Sequence, residues 1–358
     1  MNFPSESLRP VTVPASNYDV WPGSHFEWDT VAHFLEGPQW RDGVHTIGLG
    51  SGPDLDIFVS GNPLEESNAV IPVFFNGAIT GREDKSGPFF SGRKISAMGG
   101  FGFIAVSDPS VNLDPTLGLA WYAGNAHQSL QDSLTSLLRE ISARSGRELL
   151  LIGGSGGGFA SLYFGHELGE AASVLVWNPQ TRIIEYNPIF VKNYITKALA
   201  ADADLEDSDW KRVAEHEARR FGVGLDALDC KPRRLLYMQN GTDWHTPVHA
   251  VPFLQHGDFQ HRGKGLYNTD ENHVVWIASY GVGHAPLPEK ALLAAIQLMR
   301  DPDLSALQTT QQLKTSLAGE AAIISPGWPK VSDILPLSTE LYDLTCSDPD
   351  LGTSVPPS

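Results

Sequence analysis

The chain has little cysteine, with only Cys230 and Cys346 in 358 residues. Two thiols so far apart in sequence cannot build the disulfide framework of a small secreted domain, and each reads as a reduced, incidental thiol. No apolar run is long enough to span a bilayer. The opening residues, Met1-Asn2-Phe3-Pro4-Ser5-Glu6-Ser7, lack the basic start and apolar core of a signal peptide, so the expected location is cytoplasmic. Basic residues are also scarce: 25 Lys and Arg stand against 42 Asp and Glu, for a formal net charge of -17. Such a field, with no local basic patch, repels polyanions and argues against nucleic acid or an anionic membrane surface as a partner. Internal repeats and low-complexity tracts are missing as well. What remains is an ordinary globular composition, 41% apolar and 19% charged, in a chain long enough for one elaborated domain or two small ones. A homo-oligomer is compatible with all of this.

Short apolar runs alternate with turn residues and helical patterns along the chain. Residues 1–65 hold two alternating runs, 44–49 and 55–60, expected to be antiparallel strands at a sheet edge. Strands are then expected over 69–75, ending in Asn76-Gly77-Ala78, and over 102–107, ending in Asp108-Pro109. Leu130, Leu134, Leu137, Leu138 and Ile141 recur at helical spacing. Further buried strands are expected over 149–152, 172–177, 235–238 and 272–278, with a closing helix over 288–299. Strand and helix in alternation imply a doubly wound, mostly parallel α/β sheet over 66–300. The helical, charged block 180–232 interrupts the alternation and is expected to be an inserted cap. Residues 301–358 offer one amphipathic helix near 304–317 and then proline-rich segments expected to run as an extended strap.

The most informative segment is Leu149-Leu150-Leu151-Ile152-Gly153-Gly154-Ser155-Gly156-Gly157-Gly158-Phe159-Ala160. A doubly buried strand breaks into glycines around one serine and continues as a helix, expected to be amphipathic. That is the pattern of a nucleophile elbow, in which the serine takes a strained conformation and Gly153 and Gly157 leave room for the bend. The alternatives lack residues they require. A phosphate-binding P-loop needs Lys and then Ser or Thr after its last glycine, where Phe159 stands, and a dinucleotide fingerprint begun at Gly154 would also need glycine at 159. No cofactor is expected.

A serine hydroxyl needs a base to take its proton and an acid to hold that base in the right tautomer. On such a sheet these follow later strands in the order serine, acid, histidine. Asp243 lies in Gln239-Asn240-Gly241-Thr242-Asp243, directly after one strand, although this cluster would also favour a simple Asx-turn. His284 lies in Ser279-Tyr280-Gly281-Val282-Gly283-His284, directly after the last strand. His245 and His249 follow the acid and His273 opens a strand at its other end, so position favours His284 as base. His245 and His249 have the four-residue spacing of a helical metal site but lack the accompanying Glu, and His256, Asp258 and His261 form only a loose cluster; no metal is expected. Oxyanion donors are expected at the backbone N–H of Gly156 and at Ala78 or Gly77, although the loop at 76–81 would equally serve as a plain strand-ending turn. Asn76, Trp177, Asn178 and Trp244, at strand ends, are expected to line the substrate pocket.

With Gly153-Gly154-Ser155-Gly156-Gly157, Asp243 and His284 in this order, the chain resembles the α/β-hydrolase superfamily over about residues 66–300. That resemblance implies an α/β-hydrolase fold, a serine nucleophile and acyl-enzyme chemistry. It departs from many esterases at the oxyanion loop, which reads Asn76-Gly77 where they carry His-Gly. A second likeness, covering the short segments 153–160 and Trp177-Asn178-Pro179-Gln180-Thr181, is to bacterial hydrolase-like proteins of surface polysaccharide and accessory secretion, including O-acetyltransferases. The leading expectation is a serine esterase acting on a small-molecule or saccharide ester. Acyl transfer to a sugar hydroxyl, or peptidase chemistry with the same triad, is the runner-up. A binding protein that keeps the fold without the chemistry is a further alternative.

Overall fold

A computed structural model describes residues 13–37, 40–64, 70–199, 205 and 209–317. In chain order its principal elements are β1 (Ser24–Trp28), α1 (Val31–Glu36), β2 (Gly43–Ile47), β3 (Leu55–Ser60), β4 (Val70–Phe75), α2 (Arg93–Gly99), β5 (Phe103–Val106), α3 (Leu130–Ser145), β6 (Glu148–Gly154), α4 (Ser155–Leu168), β7 (Ala172–Trp177), α5 (Pro188–Lys197), α6 (Trp210–Arg220), β8 (Arg234–Asn240), α7 (Val251–His256), β9 (Gln260–Gly263), β10 (Leu266–Asn268), β11 (His273–Ala278), α8 (Glu289–Met299) and α9 (Ala306–Ser316). The α/β class expected from the sequence is what these elements form. Contacts divide the chain into two compact units, one of residues 1–149 with 188–225 and the other of 150–187 with 226–358.

In the first unit the strand order is β1-β2-β3-β5-β4. The two N-terminal runs pair antiparallel as β2 and β3, as their alternation suggested. An unanticipated strand, β1, pairs parallel to β2, joined to it through α1. β4 and β5 are parallel. The leucine and isoleucine stripe of α3 is buried throughout, which is what apolar residues at three- and four-residue spacing do on one helix face. The helix stops at Gly146, whose φ of 65° is the left-handed conformation that glycine takes at helix ends. The block following residue 187 contributes α5 and α6 to this unit.

In the second unit the order is β6-β7-β8-β11-β10-β9. β7, β8 and β11 run parallel, and a short hairpin of β9 and β10, not anticipated from sequence, adds antiparallel strands beside β11. The core strands carry unbroken apolar runs because both faces are covered: every residue of β8 is buried, as are Leu149, Leu150, Leu151 and Ile152 of β6. The expectation of an amphipathic α4 is corrected here. Gly156, Gly157, Gly158, Phe159, Ala160, Ser161, Leu162, Phe164, Gly165 and Leu168 are buried, so the helix is covered on nearly every side. Arg234, at the start of β8, is buried as well. Its guanidinium donates to Ser173 Oγ and to the carbonyls of Met299, Asp301 and Leu304, which close α8 and lead into α9. α9 begins with a reciprocal cap between Ser305 and Gln308 and fulfils the tail-helix expectation. The proline-rich segments after it, and Cys346, lie outside the described residues, whereas Cys230 is buried. Among the described residues no helix is long and apolar enough to cross a membrane.

Candidate active site

Ser155 stands at the junction of β6 and α4 with φ of 52°, a left-handed backbone that an L-residue with a side chain rarely adopts. The surrounding glycines are explained by contact. A Cβ at Gly153 would lie 2.2 Å from the Gly157 carbonyl oxygen, one at Gly154 would lie 2.3 Å from Trp177 Nε1, and one at Gly158 would lie 2.6 Å from the Pro179 side chain. Larger residues would force the strand and helix apart, so the glycines permit the sharp turn that the serine tops. As residues of the first turn of α4, Ser155 and Gly156 carry backbone N–H groups without intrahelical partners, an arrangement suited to an oxyanion.

Asp243 and His284 are brought together across 41 residues of sequence: His284 Nδ1 lies 2.6 Å from Asp243 Oδ2. The carboxylate is fully buried, whereas the imidazole is 37% exposed. The other carboxylate oxygen of Asp243 accepts from the backbone N–H of His245 at 3.0 Å. Both oxygens are thus held, which fixes the direction in which Asp243 presents itself to the histidine.

Three expected pocket residues have different surroundings. Trp177 is partly exposed and lies against Gly154. Trp244 stacks on Tyr186 with ring centroids 5.5 Å apart. Asn178 is instead a buried hub with a left-handed φ of 42°. Its Oδ1 accepts from the Asn240 N–H at 2.7 Å and the Tyr280 hydroxyl at 2.6 Å, and its amide donates to the Ala285 carbonyl at 2.8 Å. With its side chain engaged on all sides, Asn178 ties the loops after β7, β8 and β11 to one another.

Asn76, Gly77 and Ala78 follow β4 in the first unit. The Asn76 N–H donates to the Tyr122 hydroxyl at 2.7 Å, which in turn donates to the Val106 carbonyl at 2.8 Å. Asn76 and Gly77 line a small cavity with Phe89, Asp108, Leu119 and Tyr122. Asp108 is buried there, accepting from the backbone N–H groups of Ser110 and Tyr122, and burial pushes its carboxyl up to about 6.

Sequence reasoning passed over two residues beside Ser155 and His284. Gln180 donates through its side chain to Ser155 Oγ at 3.1 Å. Its signal was position alone, two residues past Asn178 at the end of the strand next to the elbow. His245, set aside because it follows the acid directly, has its ring 4.3 Å from that of His284. Its Nδ1 lies 2.9 Å from the Asn178 carbonyl, so Nδ1 carries the proton and Nε2 is bare. His249, 4.9 Å from His245 between ring centroids, has the opposite tautomer, because its Nδ1 accepts from the Thr181 N–H at 3.3 Å. Both rings are buried, and neither Nε2 finds a hydrogen-bond partner among the described residues. Burial holds both imidazoles neutral, lowering His245 far below the ordinary range and His249 to about 3. The loose cluster at 256–261 does not assemble: His256 pairs with Asp229, and the His261 ring lies tilted against Tyr267.

The fold and this geometry define a protein with a strained serine at a strand-to-helix turn and a buried-acid, exposed-histidine pair on one α/β unit. No family model matches the chain, and no curated protein does. Among solved structures it is similar to the capsule O-acetyltransferase of Neisseria meningitidis serogroup A, at 11% identity over 75% of this chain and 98% of that one, with a TM-score of 0.46. It is also similar to an S-formylglutathione hydrolase from Agrobacterium tumefaciens, at 15% identity over 72% and 91% of the two chains with a TM-score of 0.40. The Pyrococcus horikoshii acylaminoacyl peptidase matches at 14% identity over 79% of this chain and 42% of that one, also with a TM-score of 0.40. Likenesses at this level carry no residue or substrate across; the chemistry has to be argued from the site itself.

Proposed function

We propose that the protein is a serine esterase of the α/β-hydrolase type. Ser155 Oγ attacks the ester carbonyl, His284 takes the hydroxyl proton and returns it to the leaving alcohol, and Asp243 holds His284 in the tautomer that accepts it. The Gly156 N–H stabilises the oxyanion, a contribution worth about a hundredfold to a thousandfold in rate for one such donor. Water then cleaves the acyl-enzyme with His284 as base. The observation that supports this reading most is the 2.6 Å contact of His284 with a buried carboxylate, in the unit that also carries a serine held at positive φ.

The test is intact-mass spectrometry after incubation with a fluorophosphonate, with turnover of p-nitrophenyl acetate measured alongside. A single adduct on the wild type that is missing from Ser155→Ala is the expected result. Absence of both adduct and turnover above buffer in the metal-free protein would overturn the reading.

A further inference from the structure

Acyl chemistry uses only part of what surrounds His284. Asp243, His245 and His284 each offer a metal-ligating atom, and these atoms lie within 4.8 Å of one another. His245 points to a ligand independently of that spacing. Its Nε2 is buried, bare and without a partner among the described residues, while its Nδ1 proton is anchored on the Asn178 carbonyl. Leaving such an acceptor unmade inside a protein is unfavourable. An imidazole with its far N–H fixed on a backbone carbonyl and its near nitrogen bare is the arrangement in which histidines hold zinc.

We propose that Asp243, His245 and His284 form a reversible Zn2+ site whose occupation switches the protein off, the switching rests on the triad reading above, and the binding stands on the geometry alone. One carboxylate and two imidazoles are a ligand set that zinc takes readily, with water completing a tetrahedron. Bonds of about 2.0–2.1 Å place tetrahedral ligand atoms roughly 3.4 Å apart, so His284, whose Nδ1 now lies 2.6 Å from Asp243 Oδ2, must give up that hydrogen bond and shift by about 1 Å to share the ion with the other two. His284 is the member able to move. Its ring is partly exposed, and it follows Gly281 and Gly283, the latter at φ of 64°. The ion enters from the exposed side of His284 and sheds water as the three lone pairs replace it.

Inhibition follows from the imidazole's two nitrogens. If the ion takes Nε2, that lone pair is no longer there to receive the serine proton. If it takes Nδ1, the proton formerly on Nδ1 moves to Nε2, which then donates instead of accepting. In either case the base is lost, and chelation restores it.

The experiment is calorimetric titration of ZnCl2 into the chelator-treated full chain, repeated with CoCl2 to read the visible absorption of the bound ion. His245→Gln and His284→Ala are titrated beside the wild type, and fluorophosphonate labelling of Ser155 is followed with and without Zn2+. His284→Ala removes an exposed ring from a loop, so it serves if His245→Gln fails to fold. We expect one Zn2+ per chain, affinity reduced by more than about tenfold in each folded variant, a tetrahedral cobalt spectrum lost with it, and labelling slowed by Zn2+ and restored by chelator. No binding at millimolar Zn2+, or binding unchanged in His284→Ala, overturns the site, even where metal-free labelling remains intact. Binding lost in the variants while metal-free wild type fails to label would keep the zinc site and overturn the esterase reading instead.

Discussion

The Gln180 side chain donates to Ser155 Oγ at 3.1 Å, and the Gln180 backbone N–H donates to the Ser155 carbonyl at 3.1 Å. One residue thus fixes both the main chain and the hydroxyl of the strained position. Replacing it by Leu keeps approximate size and removes the side-chain donor. If Ser155 is the nucleophile as proposed, a hydrogen bond of about 1 kcal/mol that orients its hydroxyl corresponds to roughly a fivefold rate change. Gln180→Leu is therefore expected to lower kcat/KM for p-nitrophenyl acetate by about fivefold, with Ser155 still labelled.

Asp243→Asn should act far more strongly. An amide turned toward His284 Nδ1 favours the tautomer with its proton on Nε2, where it cannot accept from serine. The expected loss in kcat is about a thousandfold to ten-thousandfold, with the circular dichroism of the folded protein unchanged. A loss under tenfold would remove Asp243 from the triad.

Two replacements of the serine separate strain from chemistry. Ser155→Ala and Ser155→Gly both lack the hydroxyl, but only Gly is at ease at φ of 52°. The left-handed conformation costs an ordinary L-residue about 1–2 kcal/mol. Ser155→Gly should unfold at higher urea concentration than Ser155→Ala, by a difference of about 1 kcal/mol, with neither variant labelled.

His249 gives the second unit an acid weakness. Its folded value, lowered to about 3 from 6.5, means that the unfolded chain takes up the proton first. Stability is therefore fully present above about pH 6.5 and is lost as pH falls from there toward 3. At pH 5 the loss attributable to this ring is about 2 kcal/mol, a figure that holds as long as the folded value stays below 5. His249→Gln can still accept from the Thr181 N–H, and its unfolding free energy should fall about 2 kcal/mol less than that of wild type between pH 7.5 and pH 5. Urea titrations at the two pH values measure the difference.

What was legible in the sequence followed from local rules. Unbroken apolar runs announced β6, β7, β8 and β11, because strands covered on both faces need no alternation. Gly153 and Ser155 announced the turn, because backbone crowding leaves few residue choices there. Asp243 and His284 were found by their place after strands. Gln180 and His245 were not legible as site neighbours, since their roles come from loops that meet only after folding. Asn178 read as a pocket wall for the same reason: its place at a strand end was visible, but the three partners that absorb its side chain were not. The β9 and β10 hairpin was missed because its strands, of four and three residues, are too short for a period to emerge.

Asn178 carries a consequence for how the site opens. Its Oδ1 holds the Asn240 N–H and the Tyr280 hydroxyl while its carbonyl holds His245. The loops bearing Gln180, Asp243 and His284 therefore share one fastening. Breaking it exposes all three segments in a single cooperative opening instead of letting each loop fray alone. Amide hydrogens of Asn240, His245 and Tyr280 should accordingly exchange with solvent deuterium at a common rate, and one local unfolding event would release Asp243 and His284 together.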